Sequence, residues 1–229
     1  MKKLLILATA LVAGSAFAAD FSNLTDVRIP GTGTGTASGA SAGLYPIQFT
    51  VSGLGSTTDV NITLEFGTLP GTTPGLLGEE HTFADDLDIM LISPAGTQLL
   101  FLSDAGLAND LNGVYTFDDE ASSAIATSPS DVGNLPVGSY KVSSYLTGDT
   151  FLSPAPAPNY TNLLFSVFDG EDPNGTWSMY INDDASGDAG WLMSSTLSIE
   201  ATNPVPEPAS MAALGLGILA LARKRRSAK

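Results

Sequence analysis

The sequence predicts an all-β fold, an antiparallel β-sandwich of the jelly-roll type, flanked by an N-terminal signal helix and a C-terminal hydrophobic helix. Three observations carry this. Short apolar runs alternate with period two, the pattern of half-buried strands. Turn residues separate them at short intervals, as in Glu171-Asp172-Pro173-Asn174-Gly175-Thr176. Between the two ends no segment shows the 3.6-residue period of an amphipathic helix.

The clearest element runs from His81 to Thr97, HTFADDLDIMLISPAGT. Leu87, Ile89 and Leu91 share one side of an extended chain; Asp88, Met90 and Ile92 share the other. Pro94-Ala95-Gly96-Thr97 supplies turn chemistry, and Gln98–Leu102 reads as the returning strand. The product is a hairpin with an acidic lip, Asp85-Asp86-Leu87-Asp88, at its entrance.

Residues 1–18 read as a secretory signal. Lys2 and Lys3 form the charged start, Leu4–Val12 the apolar run, and Ala16-Phe17-Ala18 the cleavage pattern, so the mature chain begins at about Ala19. Sec translocon and signal peptidase are the partners this implies. Residues 19–44 form a Gly/Thr/Ser-rich, linker-like segment. Its Gly31-Thr32-Gly33-Thr34-Gly35-Thr36 repeat touches on a phosphate loop, but no clear strand precedes it and no Lys-Ser or Lys-Thr pair follows. Gly39-Ala40-Ser41-Ala42-Gly43 matches the G-x-S-x-G nucleophile elbow, which needs a strand before it, a helix after it and a late histidine; His81 is the one histidine and is not late.

Residues 45–201 are read as the sandwich. Tyr45, Ile47, Phe49 and Val51 alternate, then Val60, Ile62, Leu64 and Phe66. Val114–Phe117 and Val137–Val142 read as strands, and Ser153-Pro154-Ala155-Pro156-Ala157-Pro158 as a stiff loop within the domain, poor in backbone donors. Trp177, Met179 and Ile181, then Leu197 and Ile199, complete the pattern.

Over residues 45–201 the chain resembles the P domain (Homo B domain) that follows the catalytic domain of kexin-like and furin-like proteases, and more closely its stand-alone bacterial type. DVNITLEF, HTFADDLDIMLISPAGTQLLFLSDAG and LFSVFDGEDPNGTWSMYINDDASGDAG carry the resemblance. It implies a jelly roll and no catalytic duty for His81, whose ring is expected to pack at a strand start and bond a neighbouring backbone group. No subtilisin-like domain lies before Tyr45, and no acid and serine stand in family context beside His81. Catalytic residues are therefore expected to be none.

The acidic groups carry more information. Asp85, Asp86 and Asp88 precede one strand; Asp169, Glu171 and Asp172 mark a turn; Asp183, Asp184 and Asp188 mark another. Asp184-x-Ser186-x-Asp188 offers the alternate oxygens that Ca²⁺ prefers, without the Gly and Glu of an EF-hand loop. The resemblance implies that such loops can hold Ca²⁺, with Asp86, Asp88, Asp184 and Asp188 as candidate ligands. A solvated acidic surface is the alternative. Sequons at Asn23, Asn61, Asn159 and Asn174 are read as incidental.

Residues 202–229 form a second address. Val205-Pro206-Glu207-Pro208 leads into the uncharged run Ala209–Ala222, and Arg223-Lys224-Arg225-Arg226 follows. The run is short for a permanent span, and the basic cluster favours the cytoplasmic side. The three parts in this order resemble the PEP-CTERM sorting signal of Gram-negative bacteria. That resemblance implies exosortase as a partner, transient anchoring by the helix, and cleavage near Pro208.

Seven of the nine Lys and Arg lie in the two end signals, and the whole chain already carries a formal charge of −15. That balance excludes nucleic acid as a partner. With no cysteine, stability rests on a packed core or bound ions. The expectation is an exported, non-enzymatic surface or matrix protein, associated with exopolysaccharide or biofilm. The alternatives are a glycan- or protein-binding accessory module and, behind it, a hydrolase.

Overall fold

The computed structural model describes residues 17–33, 36, 39–68, 81, 83–129 and 133–202. The expected signal and sorting helices, and the Val205–Pro208 and Arg223–Arg226 motifs, lie outside them. In chain order the strands begin with β1 (Phe17–Asn23), β2 (Val27–Ile29), β3 (Ala40–Ser41), β4 (Ile47–Val51) and β5 (Thr57–Gly67). After a 3₁₀ turn at Ala84–Asp86 come β6 (Leu87–Ile92), β7 (Gln98–Ser103), β8 (Asn109–Asp110), β9 (Gly113–Phe117), β10 (Gly133–Asn134), β11 (Gly138–Tyr140) and β12 (Ser143–Ser144). A second 3₁₀ turn at Phe165–Phe168 leads to β13 (Gly175–Asp183) and β14 (Gly190–Ala201).

Two six-stranded sheets pack as the expected sandwich. One runs β1-β14-β5-β9-β11, with β2 also on β14; the other runs β12-β7-β6-β13-β3, with β4 also on β13. The alternating residues face each other between the sheets. Ile62, Leu64, Leu87, Ile89, Phe101, Phe117, Met179, Ile181, Leu197 and Ile199 are all fully or almost fully buried there. Each such side chain contributes about 1.5–3 kcal/mol by leaving water. Trp177 packs edge-on to Phe168 at 4.9 Å and donates its indole N–H to the Pro173 carbonyl, 2.9 Å away. A large apolar ring is thus buried with its polar atom satisfied.

The long strands pair antiparallel, as the alternation predicts. Three short pairs are parallel: β11 on β9, β12 on β7 and β10 on β8. A parallel neighbour needs a crossover instead of a tight turn. The irregular chain between β9 and β11 makes one, and its polar sequence disguises this.

The sandwich also begins earlier than Tyr45. β1 and β2 lie on β14, and β3 and β4 on β13, so four strands before β5 already belong to the two sheets. Val27, Ile29 and Ala42, from the segment that composition marks as a linker, enter the core. Glycine serves close approach here. A Cβ on Gly31 would sit 2.8 Å from the Gly43 Cα, where the chain crosses itself through Gly31 N–H to Ser41 O and Gly43 N–H to Arg28 O. Within β1, Ala18 pairs with Glu200 and Ala19 with Ile199, so a chain starting at Ala19 keeps most of that ladder.

Candidate functional site

β6 carries Leu87, Ile89 and Leu91 into the core, so alternation turns Asp88 to the outer face of its sheet. The chain after β13 brings Asp184 to the same place, fixed by its N–H on the Asp86 carbonyl at 2.9 Å. A third carboxylate, Asp149, arrives from the loop after β12. One oxygen from each of Asp88, Asp149 and Asp184 lies within 4.8 Å of the other two. Ser103 on β7 donates to Asp149 at 2.9 Å, with Asp104 also in reach at 3.1 Å.

The electrostatics are those of carboxyls crowded into a poorly solvated place. Asp88 is 1 % exposed, and its Oδ2 has no hydrogen-bond partner. Burial first, then repulsion from Asp149 and Asp184, pushes the Asp88 carboxyl up to about 9. Desolvation, followed by Asp104 and Asp149, raises Asp184 to about 6. Desolvation also raises Asp149. A lone buried carboxylate oxygen is costly unless a proton or a metal meets it. Two oxygens on opposite sides of one Ca²⁺ stand about 4.8 Å apart, and hard cations take oxygen donors. This group has the donors to hold a metal ion.

Of the four acidic residues singled out in the sequence, Asp88 and Asp184 join this group. Asp86 and Asp188 lie beside it. Asp86 is raised to about 7 by desolvation, eased by His81 and aggravated by Asp183, Asp184 and Asp188; Asp188 in turn helps to raise Asp110. Asp149 escaped the sequence reading because it stands alone in LTGDTFL, with no acidic neighbour to flag it. The turn at 169–172 serves structure: Glu171 accepts from Thr97, and Asp172 accepts the Asn174 N–H at 3.0 Å.

His81 is buried, as expected, but its nearest side-chain partner is a carboxylate and not a backbone group. Its Nε2 lies 3.4 Å from Asp183 Oδ2, and its backbone pairs with Leu111. Gly190 makes room for it: a Cβ there would come within 2.5 Å of the His81 nitrogen. Ser41 sits in strand β3 opposite Asn182, one residue out of step with Asp183, so it faces the other side of the sheet from the His81–Asp183 pair. The G-x-S-x-G match is an edge strand, not a strand-to-helix elbow.

Comparison with known proteins gives two family matches. Residues 77–199 match the proprotein convertase P-domain, and residues 204–226 match the PEP-CTERM protein-sorting motif. The motif marks a secreted protein that transits the membrane in exosortase-containing bacteria. No curated protein matches. Among solved structures, a serine protease of Aeromonas sobria aligns at 15 % identity and a TM-score of 0.40; the alignment covers 82 % of this chain and 27 % of that one.

Proposed function

The chain belongs to the proprotein convertase P-domain family, and on that footing we propose that it is an exported, non-enzymatic surface or extracellular-matrix protein. Exosortase cuts it near Val205-Pro206-Glu207-Pro208, and the freed sandwich joins exopolysaccharide or biofilm outside the cell. One observation carries the reading: the sandwich runs straight into its sorting signal. β14 ends at Ala201, and Thr202 is held by its N–H to Ser56 O and by the Gly55 N–H to its own carbonyl. The family match to the sorting motif begins two residues later, at Pro204. The sandwich is therefore the cargo, delivered with a tether of a few residues.

The non-enzymatic reading is supported by the burial of His81 against Asp183 and by Ser41 facing away from both. The group at Asp88, Asp149 and Asp184 is read as a Ca²⁺ site that stiffens an acidic protein. Without its two end signals the chain keeps only Arg28 and Lys141 as cations. Divalent ions are effective counter-charges for such a surface.

Intact-mass analysis of the exported protein tests the sorting step. A mature species ending near Pro208 is expected. A mature pool that still carries Arg223–Lys229 refutes exosortase processing and favours a tail anchor.

A further inference from the structure

The outer face of an antiparallel sandwich is ordinarily polar and wet. One outer face here is not. Met90 of β6, Leu100 of β7 and Tyr180 of β13 are 0 %, 1 % and 8 % exposed, and they form a second apolar cluster with Phe151. Ala155, Tyr160, Tyr45 and Ile92 pack around it. Most of that cover comes from residues 149–160, a segment that belongs to no strand.

Three side-chain ties hold the cover to the strands and to Tyr45: Tyr45 donates its hydroxyl to Leu152 O at 2.9 Å, Asn182 reaches Thr150 O at 3.3 Å, and Ser103 donates to Asp149 at 2.9 Å. Pro154, Pro156 and Pro158 have no backbone N–H to give. The leading end of the segment is Asp149. It is the segment's single contribution to the carboxylate group; Asp88 belongs to β6, and Asp184 follows β13. The unpartnered Oδ2 of buried Asp88 lies on the sheet side of that group.

We propose that residues 149–160 are a strap, and that a divalent cation held by Asp88, Asp149 and Asp184 clasps it over the Met90–Leu100–Tyr180 face. With the ion in place, oxygens from strap and sheet share one centre, and the aromatic cover is fixed at its leading end. With the ion removed, the three carboxyls within 4.8 Å have no common centre to bridge strap and sheet, and whichever of them ionise repel one another in a poorly solvated place. The strap then opens locally while the two sheets stay paired, and an apolar surface is uncovered. External calcium would thereby control how sticky this face is. The inference rests on the Ca²⁺ reading above, and the experiment separates the two.

Amide hydrogen exchange is measured on the exported protein in CaCl₂ and in EGTA, with Ca²⁺ binding followed in parallel by calorimetry. The expected result is exchange in residues 147–163 at least about tenfold faster in EGTA, with the amides of β6, β7 and β13 unchanged. Asp149→Asn should loosen the strap in CaCl₂ as well, and its protected sheet amides would show that it folds. Stoichiometric Ca²⁺ binding, lost in Asp88→Asn, with equal strap exchange in both buffers would overturn the clasp and leave the calcium site standing. Wild-type protection of the strap in Asp149→Asn with CaCl₂ present would also overturn it. No Ca²⁺ binding at all would remove the calcium reading and the clasp together.

Discussion

Replacing Asp88 by Asn removes one ionisable oxygen ligand from the carboxylate group and keeps its shape. The side chain is 1 % exposed and supplies the oxygen that no protein group satisfies. A ligand that binds only the folded state stabilises it by RT ln(1 + [L]/Kd), about 2.7 kcal/mol at a hundredfold excess. For a domain of this size, spanning residues 17–202, each kcal/mol moves the midpoint by about 2–4 °C. Millimolar CaCl₂ is therefore expected to raise the melting temperature of the wild-type protein by about 5–10 °C. NaCl at matched ionic strength should do less, since screening supplies no coordination. Scanning calorimetry of the exported chain in EGTA, NaCl and CaCl₂ reads this directly. Asp88→Asn should abolish the calcium-specific part, and in EGTA it should melt no lower than wild type, because Asn matches the shape and neutrality of the protonated carboxyl that burial already favours at this position. Asp188→Asn, outside the group of three, should keep most of the calcium shift. Equal shifts in the two salts, or an undiminished calcium shift in Asp88→Asn, would refute the argument and leave the carboxylates a solvated surface.

In EGTA, stability should fall as pH rises from about 4 towards 9: Asp184, Asp86 and Asp88 are raised to about 6, 7 and 9, above ordinary carboxyls near 4, so the folded state holds protons that the unfolded state has lost. Calcium should reverse the trend, since its ligands must be ionised; denaturant titrations at pH 5 and pH 8, with and without Ca²⁺, check both signs. Gly190→Ala places a methyl group 2.5 Å from the His81 backbone nitrogen and should cost about 1–3 kcal/mol, read as a lower denaturation midpoint at constant slope. His81→Ala takes the imidazole from buried Asp183, which keeps only the Ala185 N–H, and should cost about 1–3 kcal/mol by the same assay; no measurable change would show that the contact does not stabilise the fold. The purified sandwich should leave casein and fluorogenic peptides intact, and turnover abolished by Ser41→Ala or His81→Ala would restore the catalytic reading.

Local chemistry made much of this protein legible in the sequence. A period of two over Leu87–Ile92, and again over Trp177–Ile181, can bury one face only as a strand, and Pro94–Thr97 can only turn the chain back. The hairpin therefore follows from residues alone. The sorting signal is equally local: its three parts act in order along the chain, so no fold is needed to recognise them. The Gly-rich segment at residues 31–43 misled for a physical reason. Glycine signals freedom in an open chain and close approach in a packed one, and only the partner backbone tells which; here Gly31 lies against Gly43. The parallel short strands were hidden because a crossover leaves no periodic trace. The carboxylate group shows the limit most sharply. Asp88 and Asp184 could be suspected from acidic neighbours, but Asp149 is sixty-one positions from one and thirty-five from the other. Folding brings their oxygens within 4.8 Å, because β6 and β13 are partners in one sheet and the chain after β12 crosses its outer face. The charge of each aspartate belongs to the sequence; the crowding that sets three of them within reach of one ion is made by the tertiary structure.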